Sequence, residues 1–361
     1  MRVNWRHLAI VLAVLPFIVL FVAWIGFFNV GASSGHWKIT EWFLHFAMRS
    51  AVRTYALQVE VPHELPRHAI QTAAGHFARG CAICHGAPGE PRSPAALRML
   101  PQPPELAQKI GEWNDAELFR IVKHGIRFTG MPAWPTQARD DEVWAMVAFL
   151  RALPPMEGEV YRQLAYGAGG TPSLRAVTID QAVVECARCH GNDGAGRSST
   201  IPVLAGQSEA YILESLLAFA DERRPSGIMA LASIAVDNQH FPELARRYAA
   251  MKSVGPPRPA PDPSLLEYGR AIATKGIVAA NVPACVGCHE KPDRNPHYPN
   301  IAGQPSAYIK AQLELFRTGT RGGTRYSHLM AKVAKGLTDH DIEALANYFA
   351  TLPASTATAR R

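Results

Sequence analysis

The first apolar segment of the chain is continuous rather than periodic. Residues 8–30 carry no charged side chain, and a segment of that length is long enough to cross a bilayer as a helix. The following segment, residues 37–57, places its apolar side chains near one helical face and its charged side chains largely opposite, which predicts an amphipathic helix. Together the two segments predict an N-terminal anchor over residues 1–60.

Basic residues next to the apolar segment predict its orientation. Arg2 and Arg6 precede it, and because basic residues stay on the cytoplasmic side, everything after Val30 is expected on the other side. A cleaved signal peptide is the alternative, since Gly31 and Ala32 make a small-residue cleavage site available; the length of the apolar run favours an uncleaved anchor. The amphipathic helix either packs on a folded domain or lies at the membrane surface, and periodicity leaves both open.

Composition narrows the class of protein. The 361 residues are 48% apolar and 19% charged, which is typical of packed globular domains and excludes disorder as the main state. The net charge of +7 comes without a run of five basic residues, so nucleic acid is excluded as an expected partner. The 28 prolines and 28 glycines are scattered between periodic segments, which favours several small, loop-rich domains over one large core.

The cysteines carry the strongest chemical signal. All six fall into three Cys-x-x-Cys-His strings, which are Cys81, Cys84 and His85; Cys186, Cys189 and His190; and Cys285, Cys288 and His289. Two thiols on one short turn can add to the two vinyl groups of haem, and the adjacent imidazole can bind its iron. A zinc or redox site does not require that histidine three times, and cysteines three residues apart are poorly placed for a disulfide framework. The strings therefore predict three covalently bound haem c groups.

Each string begins a segment of ordinary domain size. We predict domains over residues 61–155, 174–252 and 264–354, separated by stretches rich in glycine and proline. The second and third domains repeat each other, because PVLAGQSEAYI at 202–212 and PNIAGQPSAYI at 299–309 share one phase. The first domain lacks this element, so it is a relative of the other two rather than a copy.

With these motifs the chain resembles the class I c-type cytochromes. The second and third domains resemble a tandem cytochrome c4-type pair, and the first is similar to the cytochrome c domains of cbb3-type oxidases and of dehydrogenase subunits. The resemblance implies an all-α fold of three small class I domains in tandem, and the hydrophobic pattern adds one transmembrane helix and the amphipathic helix before them. It also implies that each haem iron lies between a histidine and a methionine, an arrangement suited to electron transfer.

The resemblance assigns a sixth ligand in each repeated domain. Met330 is the methionine of the third domain, and it precedes the predicted last helix of the chain. Met229 stands at the corresponding place in the second domain, and Met251 is its competitor. The resemblance further implies that the carbonyls of Pro202 and Pro299 accept the proximal histidines' ring N–H groups.

The first domain leaves more choices. Met131 lies between Gly130 and Pro132 in a predicted loop and is the expected sixth ligand, whereas Met146 belongs to an amphipathic helix and is expected in the core. Bis-histidine ligation is the alternative to His/Met ligation in the three domains, with His124, His240 and His328 as the rival ligands. The histidine-orienting proline of the first domain is one of Pro101, Pro103 and Pro104.

The expected function is relay of single electrons between respiratory-chain components, from a quinol- or dehydrogenase-side donor to a terminal oxidase or soluble cytochrome. The chain is expected at the bacterial cytoplasmic (inner) membrane, single-pass, with its haem domains in the periplasm. Its expected partners are the bilayer, a membrane redox complex (oxidase, quinol oxidoreductase or dehydrogenase) and a soluble periplasmic electron carrier. The alternatives are a cytochrome c subunit of a periplasmic alcohol, aldehyde or sugar dehydrogenase, and a haem enzyme with one open coordination site. We predict no catalytic side chains, because the sequence contains no phosphate loop, nucleophile elbow or HExxH motif.

Overall fold

Helices form the regular structure of the chain. The computed structural model describes residues 5–27, 29, 31, 33–167, 170–171, 175–252, 262–291 and 293–354, and within these ranges only isolated β-bridges accompany the helices. The α-helices there are α1 Trp5–Trp24, α2 Lys38–Ala56, α3 Ile70–Gly80, α4 Ala82–His85, α5 Leu106–Lys109, α6 Asp115–His124, α7 Asp140–Ala152, α8 Gly158–Ala165, α9 Ile179–His190, α10 Glu209–Ala220, α11 Gly227–Ile234, α12 Phe241–Ala250, α13 Pro263–Lys275, α14 Val286–His289, α15 Ser306–Arg317, α16 Ser327–Lys335 and α17 Asp339–Thr351. The all-α prediction is confirmed.

Helix α1 is apolar from Leu8 to its end and buries none of its residues. By length and composition it can cross a membrane. It begins and ends earlier than the predicted segment of residues 8–30, and Gly26 follows it at a φ of +71°. Arg2, Val30 and Ala32 of the sequence argument lie outside the described residues.

Helix α2 matches the predicted amphipathic helix almost residue for residue. Its C-terminal half packs on the first cysteine-containing unit, where Val52 and Ala56 are buried. Arg49 donates to the Glu112 carboxylate at 2.8 Å and its guanidinium lies over the Trp113 ring. Burial and ion pairing on one side of the helix therefore tie α2 to that unit, while its N-terminal half remains exposed.

The first core lies between α3, α7 and α8. Phe77, Phe149 and Tyr161 are fully buried there, with the Phe77 and Phe149 ring centroids 5.0 Å apart. Tyr161 belongs to α8, inside the stretch predicted as a linker beyond residue 155. Its burial extends the first folded unit to Tyr166, because the apolar face of this short helix completes the core; periodicity over eight residues is too short to predict that packing.

Two further cores occupy the repeated segments. In the second, Phe241 and Leu244 of α12 pack toward α10. In the third, Ile342 and Phe349 of α17 pack toward α13 and α15. Each Cys-x-x-Cys-His string thus adjoins a separate buried cluster within the described residues, which supports the proposed division into three domains.

Candidate haem-binding sites

Each Cys-x-x-Cys-His string folds as one helical turn. The first forms α4 with Cys81 as its preceding residue, the second ends α9, and the third forms α14 with Cys285 before it. Residues three and four apart lie on the same side of a helix, so both thiols and the imidazole of each string share one side. All six cysteines are free thiols, which leaves them available for thioether bonds.

A proline carbonyl orients each histidine of the strings. Nδ1 lies 3.0 Å from the carbonyl oxygen in His85 with Pro104, 3.1 Å in His190 with Pro202, and 3.0 Å in His289 with Pro299. Because a carbonyl oxygen can only accept, Nδ1 carries the proton in each histidine. Nε2 therefore keeps its lone pair, which is the arrangement that metal-binding histidines use.

The same contact identifies the proline of the first domain. Among the three candidates, Pro104 accepts from His85, whereas the Pro103 carbonyl accepts from Arg92 Nη1 at 2.7 Å. Consecutive prolines offer several carbonyls at similar sequence distance, so only the path of this loop selects one of them.

Burial shifts the pKa values of the three histidines and of cysteines in the strings. Burial lowers the pKa of His85 and His289 and lowers that of His190 to about 4, although the bonds to the prolines oppose the shift. Each imidazole is therefore neutral near pH 7, the form that binds iron. Burial also raises the pKa of Cys81 and Cys186 to about 12, so these thiols are protonated.

A cavity of about 950 Å³ lies between the second and third domains and reaches the first. Its lining includes both repeated strings and two methionines: Cys186, Cys189, His190, Met229, Cys285, Cys288, His289 and Met330. The expected axial ligands of these two domains therefore face one continuous space. This space has the residues that a pair of covalently bound haems would need around them.

The rival ligands of the repeated domains lie elsewhere. Met251 packs on the second core, and His328 is exposed although it is two residues from Met330. His240 Nε2 lies 3.1 Å from the Val177 carbonyl, which occupies that nitrogen. The geometry therefore favours Met229 and Met330.

The first domain carries Met131 on a closed loop. The Met131 carbonyl accepts from Ile126 at 3.2 Å, and Met131 N–H donates to Thr129 at 3.1 Å. A Cβ on Gly130 would overlap the methyl group of Met99, so a second methionine, which no sequence pattern singles out, lies beside this loop. Met146 is buried in the first core, as expected.

Two glutamines of the repeated element link the second and third domains reciprocally. Gln207 Nε2 donates to the Asn300 carbonyl at 2.9 Å, and Asn300 N–H donates back to Gln207 Oε1 at 2.7 Å. Gln304 makes the same two bonds with Val203, at 2.8 and 2.9 Å. Val203 and Asn300 directly follow the prolines that orient His190 and His289. Each domain therefore supplies a glutamine that holds the backbone next to the histidine-orienting proline of the other domain.

Removing one of these glutamines should weaken the link measurably. Gln304→Ala leaves the buried N–H and C=O of Val203 without partners, at a cost of about 1–3 kcal/mol. Urea unfolding of the second and third domains, followed by haem absorbance, should show this loss, whereas the exposed Gln239→Ala should change the free energy of unfolding by less than about 0.5 kcal/mol. Equal midpoints for the two variants would contradict the role given to Gln304.

Two arginines, at the same offset in the two repeats, line the cavity where the carboxylates of a haem would need positive partners. Arg224 is buried, with Nη1 3.2 Å from the Ser215 hydroxyl, and Arg321 Nη2 donates to the Tyr211 hydroxyl at 2.8 Å. Burial would raise the pKa of Tyr211, but Arg321 and Arg224 lower it to about 8. Neither arginine forms an ion pair with a carboxylate among the described residues. Two guanidiniums facing this cavity suit the propionate carboxylates of haem.

The first domain packs directly on the second haem-attachment helix. Arg188 of α9 donates to the Gly75 carbonyl of α3 at 2.9 Å and pairs with Glu185, which also pairs with Arg79 of α3. A Cβ on Gly75 would lie 2.9 Å from Cys189 Sγ, so a larger residue would push the two helices apart. Helix α3 ends next to Cys81 of the first string and packs against α9, which carries the second string. The same helix therefore contacts both attachment sites.

Two family models match the segments that contain the first and third strings. The family model of cbb3-type cytochrome c oxidase subunit III matches residues 68–150, and that of cytochrome c matches residues 267–353. Cytochrome c4 of Pseudomonas aeruginosa is 33% identical over 189 residues, which span 51% of this chain and 90% of that protein. The chain belongs to the cytochrome c family. The resemblance inferred from the sequence is therefore confirmed.

Other relatives of this cytochrome cover a similar share of it. The thiosulfate dehydrogenase electron acceptor of Thiomonas intermedia is 32% identical over 173 residues, 47% of this chain and 79% of that protein. The crystal structure of reduced cytochrome c4 from Pseudomonas stutzeri aligns with 29% identity and a TM-score of 0.42, over 49% of this chain and all of that one.

The family membership establishes the chemistry of this cytochrome in general terms. It is an electron-transfer cytochrome whose domains imply covalently bound haem c. Iron in such a haem supplies the change of oxidation state by one electron. The chain's own residues contribute the attachment thiols, the oriented imidazoles and the surrounding packing.

Proposed function

We propose that this cytochrome binds three haems and relays single electrons between respiratory-chain components on the periplasmic side of the cytoplasmic membrane. The observation that carries the proposal is the bond from histidine Nδ1 to a proline carbonyl, which recurs in all three Cys-x-x-Cys-His strings. The three imidazoles share one tautomer and one orienting contact, which favours three equivalent electron carriers over one catalytic haem with two structural ones. The proposed sixth ligands are Met131, Met229 and Met330.

Haem counting tests this proposal. Intact mass of the full chain should show three haem additions, and haem-peroxidase staining after denaturing electrophoresis should show that they are covalent. Replacing both cysteines of one string, as in Cys285→Ala with Cys288→Ala, should remove one addition because no thioether can form there. Three additions in that double variant, or two in the unaltered chain, would contradict the proposal.

The proposed membrane attachment uses both N-terminal helices. Helix α1 buries none of its side chains, and the N-terminal half of α2 exposes Trp42 and Phe46, whose rings stack 5.7 Å apart. Arg49 and Arg53 in the other half pair with Glu112 and Glu117 of the first domain. We infer that α1 crosses the bilayer and that α2 lies at its surface, with the first domain held against it.

A second candidate function differs in partner. The relative from Thiomonas intermedia is named as an electron acceptor of thiosulfate dehydrogenase, which favours a role as the electron-accepting cytochrome of a dehydrogenase. Stopped-flow reduction by a quinol–cytochrome c oxidoreductase and by a periplasmic dehydrogenase would separate the two roles, since the physiological donor should reduce the haems with strong dependence on ionic strength.

A further inference from the structure

A carboxylate of the first domain lies at the start of a helix in the second. Glu142 belongs to the first turn of α7, yet Ser226 Oγ donates to its Oε1 at 2.6 Å. Gly227 N–H donates to its Oε2 at 2.7 Å, and Ile228 N–H lies 3.4 Å from the same oxygen. These three donors form the N-terminal turn of α11, the helix that carries Met229.

The carboxylate is held from its own domain as well. Arg139 Nη1 pairs with Glu142 Oε1 at 3.0 Å and also donates to the Pro225 carbonyl at 3.1 Å. Trp134 Nε1 lies 3.3 Å from Glu142 Oε2. Only 5% of the Glu142 surface is exposed, and a buried carboxylate persists where charged and polar donors surround it. Glu142 therefore joins the two domains through a buried contact in which both of its carboxylate oxygens accept hydrogen bonds.

Close approach at this point depends on a glycine. A Cβ on Gly227 would overlap the indole nitrogen of Trp134, so the first turn of α11 is pressed against the first domain. Ile228 packs on the first core although it belongs to the second domain. The residues immediately before Met229 are thus packed against the first domain.

The third domain provides an internal comparison. Ser226 and Ser327 each stand three residues before a proposed methionine ligand. Ser226 accepts from Met229 N–H at 3.1 Å while donating to Glu142, whereas Ser327 donates to the carbonyl of Thr324 in its own domain. In the third domain, Arg325 N–H donates to the Glu214 carboxylate of the second domain, but Arg325 precedes α16. Among the described residues, the carboxylate contact to the first turn itself therefore distinguishes α11 from α16.

We propose that Glu142 is a positioning residue for Met229: by fixing the first turn of α11, docking of the first domain sets the coordination of the second haem. This inference rests on the proposed ligation of that haem by His190 and Met229. Its consequence is that the potential of the second haem depends on whether the first domain is docked.

Spectroscopy and potentiometry of the full-length, haem-loaded protein test the proposal. Met229→Ala should remove roughly one third of the iron–sulfur charge-transfer absorption of the oxidised protein, and Glu142→Ala should remove most of that same share. Glu142→Gln, which keeps the side-chain volume and an acceptor oxygen, should give a smaller loss. Hydrogen exchange at the amides of Gly227 and Ile228 should become faster in both Glu142 variants.

The direction of the potential shift separates positioning from simple charge removal. Losing a nearby negative charge disfavours the oxidised iron and would raise the midpoint potential, whereas weaker thioether ligation lowers it. We expect the potential of the second haem to fall in Glu142→Ala. A raised potential with an intact absorption band would overturn the proposal.

Matched variants separate the possible failures. Glu343→Gln changes an exposed carboxylate near Lys310 and should alter neither band nor potential. If Glu142→Ala does not retain three haems, Glu142→Gln and Ser226→Ala decide the question by the same readouts. An unaltered band in Met229→Ala contradicts the ligand assignment itself. If Met229→Ala loses its share of the band as expected but Glu142→Ala leaves both band and potential unchanged, only the positioning role is contradicted.

Discussion

Substituting Met330 with alanine should abolish about one third of the weak charge-transfer absorption that iron–sulfur bonds give the oxidised protein. Met131→Ala and Met229→Ala should each abolish a share of similar size. The midpoint potential of the affected haem should fall in each variant, because a thioether opposite imidazole holds the potential high. Absorbance at long wavelength and a spectroelectrochemical titration of the three single variants measure both effects.

Nearby residues of the same kind serve as controls for these substitutions. Met251→Ala should leave the band intact, because Met251 packs on the second core rather than lining the cavity. Met99→Ala is the matched control for Met131, since both methionines lie beside Gly130. If Met251→Ala loses a third of the band while Met229→Ala keeps it, Met251 becomes the assigned ligand. The same reasoning applies to Met99 and Met131.

Removing the first 61 residues should release the cytochrome from membranes while its haems stay reducible. A chain beginning at Pro62, exported behind a cleavable signal sequence, lacks both α1 and α2 but keeps the three buried cores. It should remain at the bottom of a flotation gradient with anionic phospholipid vesicles, where the full-length protein floats. Electron transfer to native membranes should also become slower at equal haem concentration, because the anchor raises the effective concentration at a membrane partner.

A longer chain separates the contribution of α2 from that of α1. A chain beginning at Gly35 keeps α2 and should still associate with the vesicles through Trp42 and Phe46. Replacing both by glutamate should lower its partition at least about tenfold, since burying each aromatic side chain contributes roughly 1.5–3 kcal/mol. Equal flotation of the Gly35 chain and its double glutamate variant would contradict an interfacial role for α2. Equal electron-transfer rates for the full-length chain and the chain beginning at Pro62 would leave the anchor only a targeting role.

Features encoded in one short stretch of chain were predictable from the sequence. The three Cys-x-x-Cys-His strings span one helical turn each, so spacing alone places their thiols and imidazole on one side. The resemblance carried by the repeated element likewise implied that Pro202 and Pro299 accept from His190 and His289, as the structure has it. The amphipathic period of α2 predicted its bounds to within one residue.

Other features depended on packing that no local pattern encodes. Three prolines stand close together after His85, and only the folded loop selects Pro104. The segment beyond residue 155 has the composition of a linker, yet α8 buries Tyr161 in the first core. Periodicity identified the apolar face of α2, but only the contacts of Arg49 and Val52 divide the helix into a docked half and an exposed half.

The sequence by itself determined the cofactor chemistry and the number of attachment strings, because each follows from residue types at fixed short spacing. The family resemblance that these motifs carry implied the all-α class. Only the tertiary structure decided how the domains join. Gln207 and Gln304 lie within a repeat visible in the sequence, and Glu142 lies in an ordinary helix turn, yet their partners are more than 80 residues away along the chain. Such contacts arise when already formed surfaces dock, and the partner of a buried polar group is then set by the shape of both surfaces rather than by any period in one of them.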